Sequence, residues 1–507
     1  MKRRADVDEA LELLQQLNEE SGEASSSETD YSSADDEVLD KTFAPVGDSG
    51  EESGDDLAEE FDTEETAGRS LWESKSGITW SPTSDIRIPF RPPGIHHRGI
   101  TRFAVSQIQT LEDSFDFFLT RSILDIIIRH TNTEGRRKNK SWVDTDIVEL
   151  RAFLGLLILA GVYRSNGESS SSLWGEETGR PIFRATMSLR RFHELTSTLR
   201  FDDRLTRPAR RLLQPEKLAP IREVWDLWVA RLPLAYNPGK DVCVDEQLVG
   251  FRGRCNFRQY IPSKPAKYGI KLWVVCDVAS SYAWGMLPYL GKVTPDAPPE
   301  KGQGKRVVLE LTEGLPGRTV TTDNFFTSLD LGEELLKKKK SLVGTLRRNK
   351  PELPPQLLQM RSREIMSSVF AFTSTTTAVS YIQRRGQNVL LLSTKHHVEA
   401  IEPDVHQKPT VILDYNRCKG AVDNLDKLVA TYSCRRKTRH WPMSLFSNIL
   451  DVSAYNALVL WLSVDPTWNL PKKNFRRRLF LHELGSSMGN FLKASPTLRG
   501  EWIPVQL

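Results

Sequence analysis

Near Lys240 the hydrophobic periodicity of this 507-residue chain switches from helical to alternating, and the order of elements that follows leaves few folds open. The runs "DVCVDEQLVGF", "YGIKLWVVCDV" and "YAWGMLPYLGK" are β-type, separated by turn residues, and read as a meander of three strands. A helical "KRVVLELTEGL" follows, then a strand "RTVTTD", a helix "SLDLGEELLKKK" and a strand "SLVGTLRR". An order βββαβαβ predicts an α/β fold, a mixed sheet with helices packed against it.

The rest of the chain sorts around that block. Residues 1–77 read as a disordered acidic tail, with one short helix expected in "VDEALELLQQL", and the proline-punctuated 78–97 as an extended lead-in. Residues 98–240 are helical: "DIVELRAFLGLLILAGVY" is apolar nearly all round and predicts a buried central helix. "SLRRFHELTSTLRF" and "APIREVWDLWVARL" each carry one apolar face, the latter with Ile221, Val224, Trp225 and Trp228. The sheet block spans 241–346 and is interrupted by a β-rich insertion at 347–408. It resumes at 409–432 with a helix from Gly420, and helices continue through 433–490 before a tail at 491–507.

Charge is distributed unevenly. Residues 1–70 hold 23 acidic and five basic residues, a balance of −18, which leaves 43 acids and 64 bases, or +21, on the remainder. A body that basic predicts a polyanionic partner. The longest clean apolar run, Ala152–Val162, is about half the ~20 residues of a membrane span, and "MKRRADVDEALELL" lacks a signal-peptide core, so a soluble intracellular protein with no membrane partner is expected. The five cysteines form no C-x-x-C pair and read as reduced, buried thiols. "HELG" at His482 lacks the second histidine of a zincin helix, and "GQGKR" lacks the Ser/Thr of a P-loop.

Three acids stand where the predicted topology brings them near one another. Asp245 lies inside the first strand, Asp323 at the end of the fourth, and Asp423 at the start of the helix after the sheet, with Asp426 one turn beyond it. Singly each has an ordinary explanation: an exposed acid on an edge strand, a turn residue, a helix N-cap. Jointly, in this order, they match the ground plan of an RNase H-like nucleotidyl transferase. Carboxylates gathered in that way repel one another unless divalent cations lie between them. Two ions about 3.5–4 Å apart serve in-line phosphoryl displacement, and an all-oxygen donor set suits Mg²⁺ or Mn²⁺.

The blocks "VDEQLVGFRGRCNFRQYIPSKPAKYGIKLWVVCD", "TVTTDNFFTS" and "DYNRCKGAVDNLDKLVATYSCRRKTRHWPM" resemble those of piggyBac-type transposases and piggyBac-derived proteins, as does the upstream "GRPIFRATMSLRRFHELTSTLRFDD". The resemblance runs from about residue 98 to 490. It implies an RNase H-like core with an insertion, flanked by a dimerisation and DNA-binding domain split between 98–240 and 433–490. It also implies Asp245, Asp323 and Asp423 as catalytic ligands of two Mg²⁺ or Mn²⁺ ions, with Asp426 in support. Double-stranded DNA, a TTAA target and a homodimer are the implied partners, and DNA cleavage and joining through hairpin ends the implied activity. Typical members end in a cysteine- and histidine-rich zinc module. Here the last cysteine is Cys434 and the residues from Ser486 onward contain neither, so no zinc site is expected. A domesticated DNA- or chromatin-binding protein with little catalysis is the alternative.

Basic residues surround the acids in sequence. Arg252, Arg254, Arg258, Lys264 and Lys267 follow Asp245, and Arg435, Arg436, Lys437 and Arg439 follow Asp426. Both runs are expected to hold phosphates, with Trp441 either stacking on a base or, the favoured role, packing in the core. "KKNFRRR" and "RRKTR" are weak nuclear-import candidates, in keeping with an expected nuclear location. The acidic tail either solvates and binds other proteins or lies on the chain's own basic surface. On the second reading, deleting residues 1–70 strengthens nonspecific DNA binding at matched salt in a filter-binding titration, and an unchanged affinity rejects it.

Overall fold

The structure, a computed structural model, describes residues 71–494 apart from 91–92, 95–96, 214–215, 293–297, 299 and 404. The helix expected in "VDEALELLQQL", the rest of 1–70 and the tail from 495 lie outside the described residues. Residues 71–77, expected within the disordered tail, instead begin a short hairpin in which Trp72 faces Trp80 across Gly77, at φ +79°. The fully buried Trp80 fastens this hairpin, its indole N–H donating to the Glu352 carbonyl at 2.9 Å. The lead-in runs on along the insertion, where the Arg87 guanidinium bonds the carbonyls of Ser374 and His396.

After short helices at Arg102–Gln107 and Leu111–Asp116, the main helices of the first helical part are α1 (Arg121–Lys138), α2 (Ile147–Val162), α3 (Leu189–Thr198) and α4 (Arg222–Val229). Asp146 caps α2 by accepting from the Glu149 N–H at 2.8 Å, and beyond that turn the helix is buried on nearly every side, as its unbroken apolar run requires. On α3 and α4 the expected faces are the buried ones, with Phe192, Leu195, Val224, Trp225 and Trp228 inside.

A nine-stranded mixed sheet follows. β1 (Asp241–Gly250) and β2 (Tyr268–Asp277) pair antiparallel along their length, and β3 (Ala283–Pro288) continues the meander on the far side of β2. After α5 (Gln303–Leu311), β4 (Thr319–Thr322) joins the other side of β1 in parallel, and after α6 (Leu329–Lys337), β5 (Ser341–Thr345) lies parallel to β4. The spatial order β3-β2-β1-β4-β5, antiparallel then parallel, is the RNase H-like arrangement, and β1 is a central strand. The segment 347–408, expected as a separate β-rich insertion, supplies β6 (Ser368–Phe372), β7 (Thr377–Arg384) and β8 (Gln387–Ser393), which extend the same sheet because β8 pairs antiparallel with β5.

Four helices complete the fold: α7 (Thr410–Cys418), α8 (Ala421–Thr431), α9 (Trp441–Val464) and α10 (Arg476–Ala494). Sequence periodicity located the return of helix at Gly420; α7 precedes it, and the break between α7 and α8 falls at Lys419–Gly420. Val242, Val244 and Val275 pack with α5 and α6 on one face of the sheet, while Cys243, Val274 and Cys276 pack with α8 and α9 on the other. All five cysteines are free and buried. α9 is long and apolar enough to cross a bilayer, but its residues are buried against α8, β1 and their neighbours, making it a core helix.

The two halves of the helical part meet at α2 and α10. A β-carbon at Gly155 would lie 2.7 Å from the Gly485 carbonyl, and one at Gly485 would lie 2.9 Å from the Gly155 carbonyl. Backbone opposite backbone cannot yield as a side-chain tip does. Gly155→Ala gains about 1 kcal/mol of helix propensity, but overpacking costs about 1–3 kcal/mol. The contact is expected to win, lowering stability by up to about 2 kcal/mol in a urea titration.

Candidate active site

β1 and β4 are the elements that place the first two acids. Val244 is registered beside Thr322 across parallel strands, so Asp245 and Asp323 are the next residue on each. Neighbouring strands lie about 4.8 Å apart, which brings the two carboxylates to one rim of the sheet. Asp245 shares its strand face with Cys243 and Gln247, the face covered by α8. Its carboxyl is pushed up to about 7, first by burial and further by the charge of Asp323. Asp323 is likewise raised by burial, although its Oδ1 accepts the Phe325 N–H at 3.0 Å, the turn role anticipated for it.

The α8 acids occupy different surroundings. Gly420 is the N-cap, so Asp423 sits in the first turn without capping it. Its exposed carboxylate pairs with Lys264, Nζ to Oδ1 at 3.1 Å. Asp426 is drawn inward: Gln247 Nε2 donates to its Oδ1 at 2.6 Å, and Asn448 Nδ2 on α9 donates to Gln247 Oε1 at 2.9 Å. Burial pushes the Asp426 carboxyl up to about 7. Lys264 also donates to the Glu246 carbonyl at 3.0 Å and is drawn electrostatically by Asp423, Asp426 and Asp245. Its ammonium therefore stands among the acids. Among the described residues no three His, Cys, Asp or Glu side chains are gathered tightly enough to hold an ion. Asp245 and Asp323 thus adjoin on neighbouring strands and Asp423 pairs with Lys264, while the expected gathering of three acids into one cluster is not found among the described residues.

Of the basic residues singled out in the sequence, Arg252, Arg254, Lys267, Arg435, Lys437 and Arg439 are exposed. Arg435 lies against β1, because a β-carbon at Gly250 would come within 3.0 Å of its guanidinium. Arg258 turns inward to the carbonyls of Arg252 and Gly253, at 2.6 and 3.0 Å. Arg436 bonds the Ser165 carbonyl at 3.1 Å, and Trp441 packs edge-on to Phe257 with ring centroids 5.0 Å apart. Sequence reasoning passed over Gln247, Asn448 and Asp451. Gln247 had one signal, a polar residue two places after Asp245 and so on the same strand face. Asp451 accepts from the Cys434 N–H at 2.8 Å and the Ser433 hydroxyl at 2.6 Å, fixing the turn that carries Arg435–Arg439.

The profile of the family described as Transposase IS4 matches residues 112–458. The chain belongs to that transposase family, in its piggyBac-type branch. It is 24% identical over 400 residues to the human PiggyBac transposable element-derived protein 3, covering 74% of this chain and 65% of the relative. The human Chimeric ERCC6-PGBD3 protein matches at 24% identity over 400 residues, covering 74% of this chain and 36% of the relative. The chain therefore spans less than two thirds of either curated relative. A solved piggyBac transposase, in a synaptic complex with hairpin DNA, superimposes with a TM-score of 0.72 at 34% identity, covering 80% of this chain and 86% of that one.

A raised carboxyl makes folding proton-dependent. For Asp426 the contribution is most favourable below the unfolded value near 4 and falls as pH rises towards about 7. Asp426→Asn keeps an oxygen for Gln247 and removes the buried charge. It is expected to stabilise the protein by about 1–3 kcal/mol at pH 8 and by a smaller amount at pH 5, measured by urea denaturation at both.

Proposed function

We propose that the chain is a piggyBac-type DNA transposase that cleaves and joins DNA strands with the help of divalent cations. The observation that carries this reading is the register that sets Asp245, within β1, beside Asp323, just past β4, with the Lys264 ammonium between Asp245 and the helix acids Asp423 and Asp426. The donor chemistry suits Mg²⁺ or Mn²⁺, being all oxygen, and Lys264 already places a positive charge on Asp423; the acids would have to draw together to hold an ion. Asp245, Asp323 and Asp423 would hold two such ions, which when bound polarise the scissile phosphate and acidify the attacking hydroxyl or water. Asp426, clamped by Gln247, fixes the position of α8 and adds negative charge. The exposed Arg252, Arg254 and Arg435 would hold strand phosphates, with Lys437 and Arg439 extending the contact along the duplex.

The reaction sequence expected of such a site begins with hydrolytic nicking at each element end, which frees a 3′-hydroxyl. That hydroxyl displaces the opposite strand to close a hairpin, water reopens it, and the 3′-hydroxyls then attack both strands of a TTAA target. Every step exchanges one phosphodiester oxygen for another, so no covalent bond to the protein is needed. Joining two ends calls for a homodimer, and the substrate implies a nuclear location with "KKNFRRR" and "RRKTR" as import segments.

A second reading, host DNA or chromatin binding without cleavage, has the lysine seated among the acids in its favour. The two separate in a nicking assay on DNA carrying candidate element ends. Transposase activity predicts Mg²⁺- or Mn²⁺-dependent nicking that Asp323→Asn lowers at least about a hundredfold while DNA affinity persists. Binding with no metal-dependent nicking in the unsubstituted chain selects the second reading.

A further inference from the structure

The acids at the rim are balanced by a cation belonging to the chain itself. Lys264 sits on the loop between β1 and β2, and its side chain is only 16% exposed, against 58% for its partner Asp423. Two of its three ammonium protons are directed at oxygens, Asp423 Oδ1 at 3.1 Å and the Glu246 carbonyl at 3.0 Å. Attraction from Asp423, Asp426 and Asp245 places the charge between the strand acid and the helix acids. The loop bearing it is a surface turn: Lys264 N–H bonds Ile261 O, Lys267 N–H bonds Lys264 O, and Pro262, Ser263 and Pro265 are exposed. The lysine can therefore withdraw without disturbing the core. A point charge on a flexible stem, unlike a guanidinium fork, gives up such a seat readily.

We propose that Lys264 is the resident counter-cation of the acidic rim, and that a divalent ion enters by displacing its ammonium. The proposal rests on the reading of the rim as a divalent-cation site. In the exchange the Nζ contacts to Asp423 and the Glu246 carbonyl break, a single positive charge leaves and a doubly charged ion takes its place. The freed ammonium moves to the surface on the side of Arg435, whose guanidinium lies by Gly250 and Ala266 of the same loop, where DNA phosphate is expected. Lys264 is thus a positioning residue that couples metal entry to phosphate capture.

Two measurements on the full chain test this. Mn²⁺ is titrated into the wild-type, Lys264→Met, Lys264→Arg and Lys305→Met proteins, and free Mn²⁺ is followed by electron paramagnetic resonance. Lys305, paired with Asp330 at 2.7 Å on α5, serves as the remote charge control. Lys264→Met is expected to bind Mn²⁺ about fivefold tighter, the size of effect from removing one partly exposed competing ion pair, with Lys264→Arg weaker than wild type and Lys305→Met near wild type. Unchanged or weaker binding by Lys264→Met overturns the proposal while leaving the cation-site reading intact. Absence of Mn²⁺ binding in every protein overturns both. The second measurement needs no variant: acetylation of Lys264, read by mass spectrometry of the wild-type chain, should rise severalfold on addition of Mn²⁺. Constant reactivity under saturating Mn²⁺ likewise overturns the proposal.

Discussion

Two carboxylates on neighbouring hydrogen-bonded strands, Asp245 within β1 and Asp323 just past the end of β4, impose a constraint that the rest of the structure answers. At about 5 Å and an effective dielectric near 20, two such charges repel by about 3 kcal/mol, and partial burial adds to that. Asp245 and Asp323 are fixed there by the parallel register of β1 and β4, because neither strand can slip without turning its apolar side chains to the wrong face. Positive charge has to come to them. Lys264 reaches in from the β1–β2 loop, and Lys271 on β2 pairs with Glu246 at 2.8 Å on the neighbouring position of β1. Burial raises the Asp245 carboxyl to about 7, so this one group is close to half-protonated near neutrality.

Holding α8 against this rim is the work of the helices that surround the sheet. Gln247 is the connecting piece, a buried amide whose two ends are both used, Nε2 on Asp426 and Oε1 towards Asn448. An amide so placed ties strand, acidic helix and α9 into one hydrogen-bonded chain, and cutting it would leave buried polar groups unpaired at about 1–3 kcal/mol each. Farther out, Asp451 fixes the turn after α8, and the glycine-to-glycine approach of α2 and α10 draws the early and late helices into one layer around α9. Sequence-distant segments thus depend on one another, and the acids inherit their positions from contacts well away from the rim.

Much of this was legible in the sequence where the information is local. The alternating runs of β1 and β2, the all-round apolar α2 and the one-sided α3 and α4 follow from periodicity, and their burial agrees. The relation of Asp245 to Asp323 was also within reach, because the βββαβαβ order admits few sheets. What escaped depends on partners far along the chain. Periodicity in 347–408 predicts strands but cannot say that β8 pairs with β5 and so widens the main sheet. α7 escaped because "TVILDYNRC" mixes β-branched residues with helix formers, and its helical state comes from packing Val411 and Ile412 beneath β5 to β8. The bland account of Asp423 as an N-cap gave way because the break at Lys419–Gly420 places the cap three residues earlier. Lys264 looked like one more phosphate-binding cation; only the folded loop directs it at carboxylates.

The two acids of α8 now separate physically. Asp423 lies in the first turn, and its exposure lets it exchange one cationic partner for another at little cost. Asp426, one turn deeper, has lost much of its hydration and is bound to a buried amide, so it gains nothing from mobility and acts as a fixed anchor. Spacing of three residues on a helix gives a shared face, but the gradient of burial along that face gives each acid a different character. A rim built from two strand-held acids, one anchored acid and one exposed acid can admit a cation through its exposed member while the other three keep their geometry.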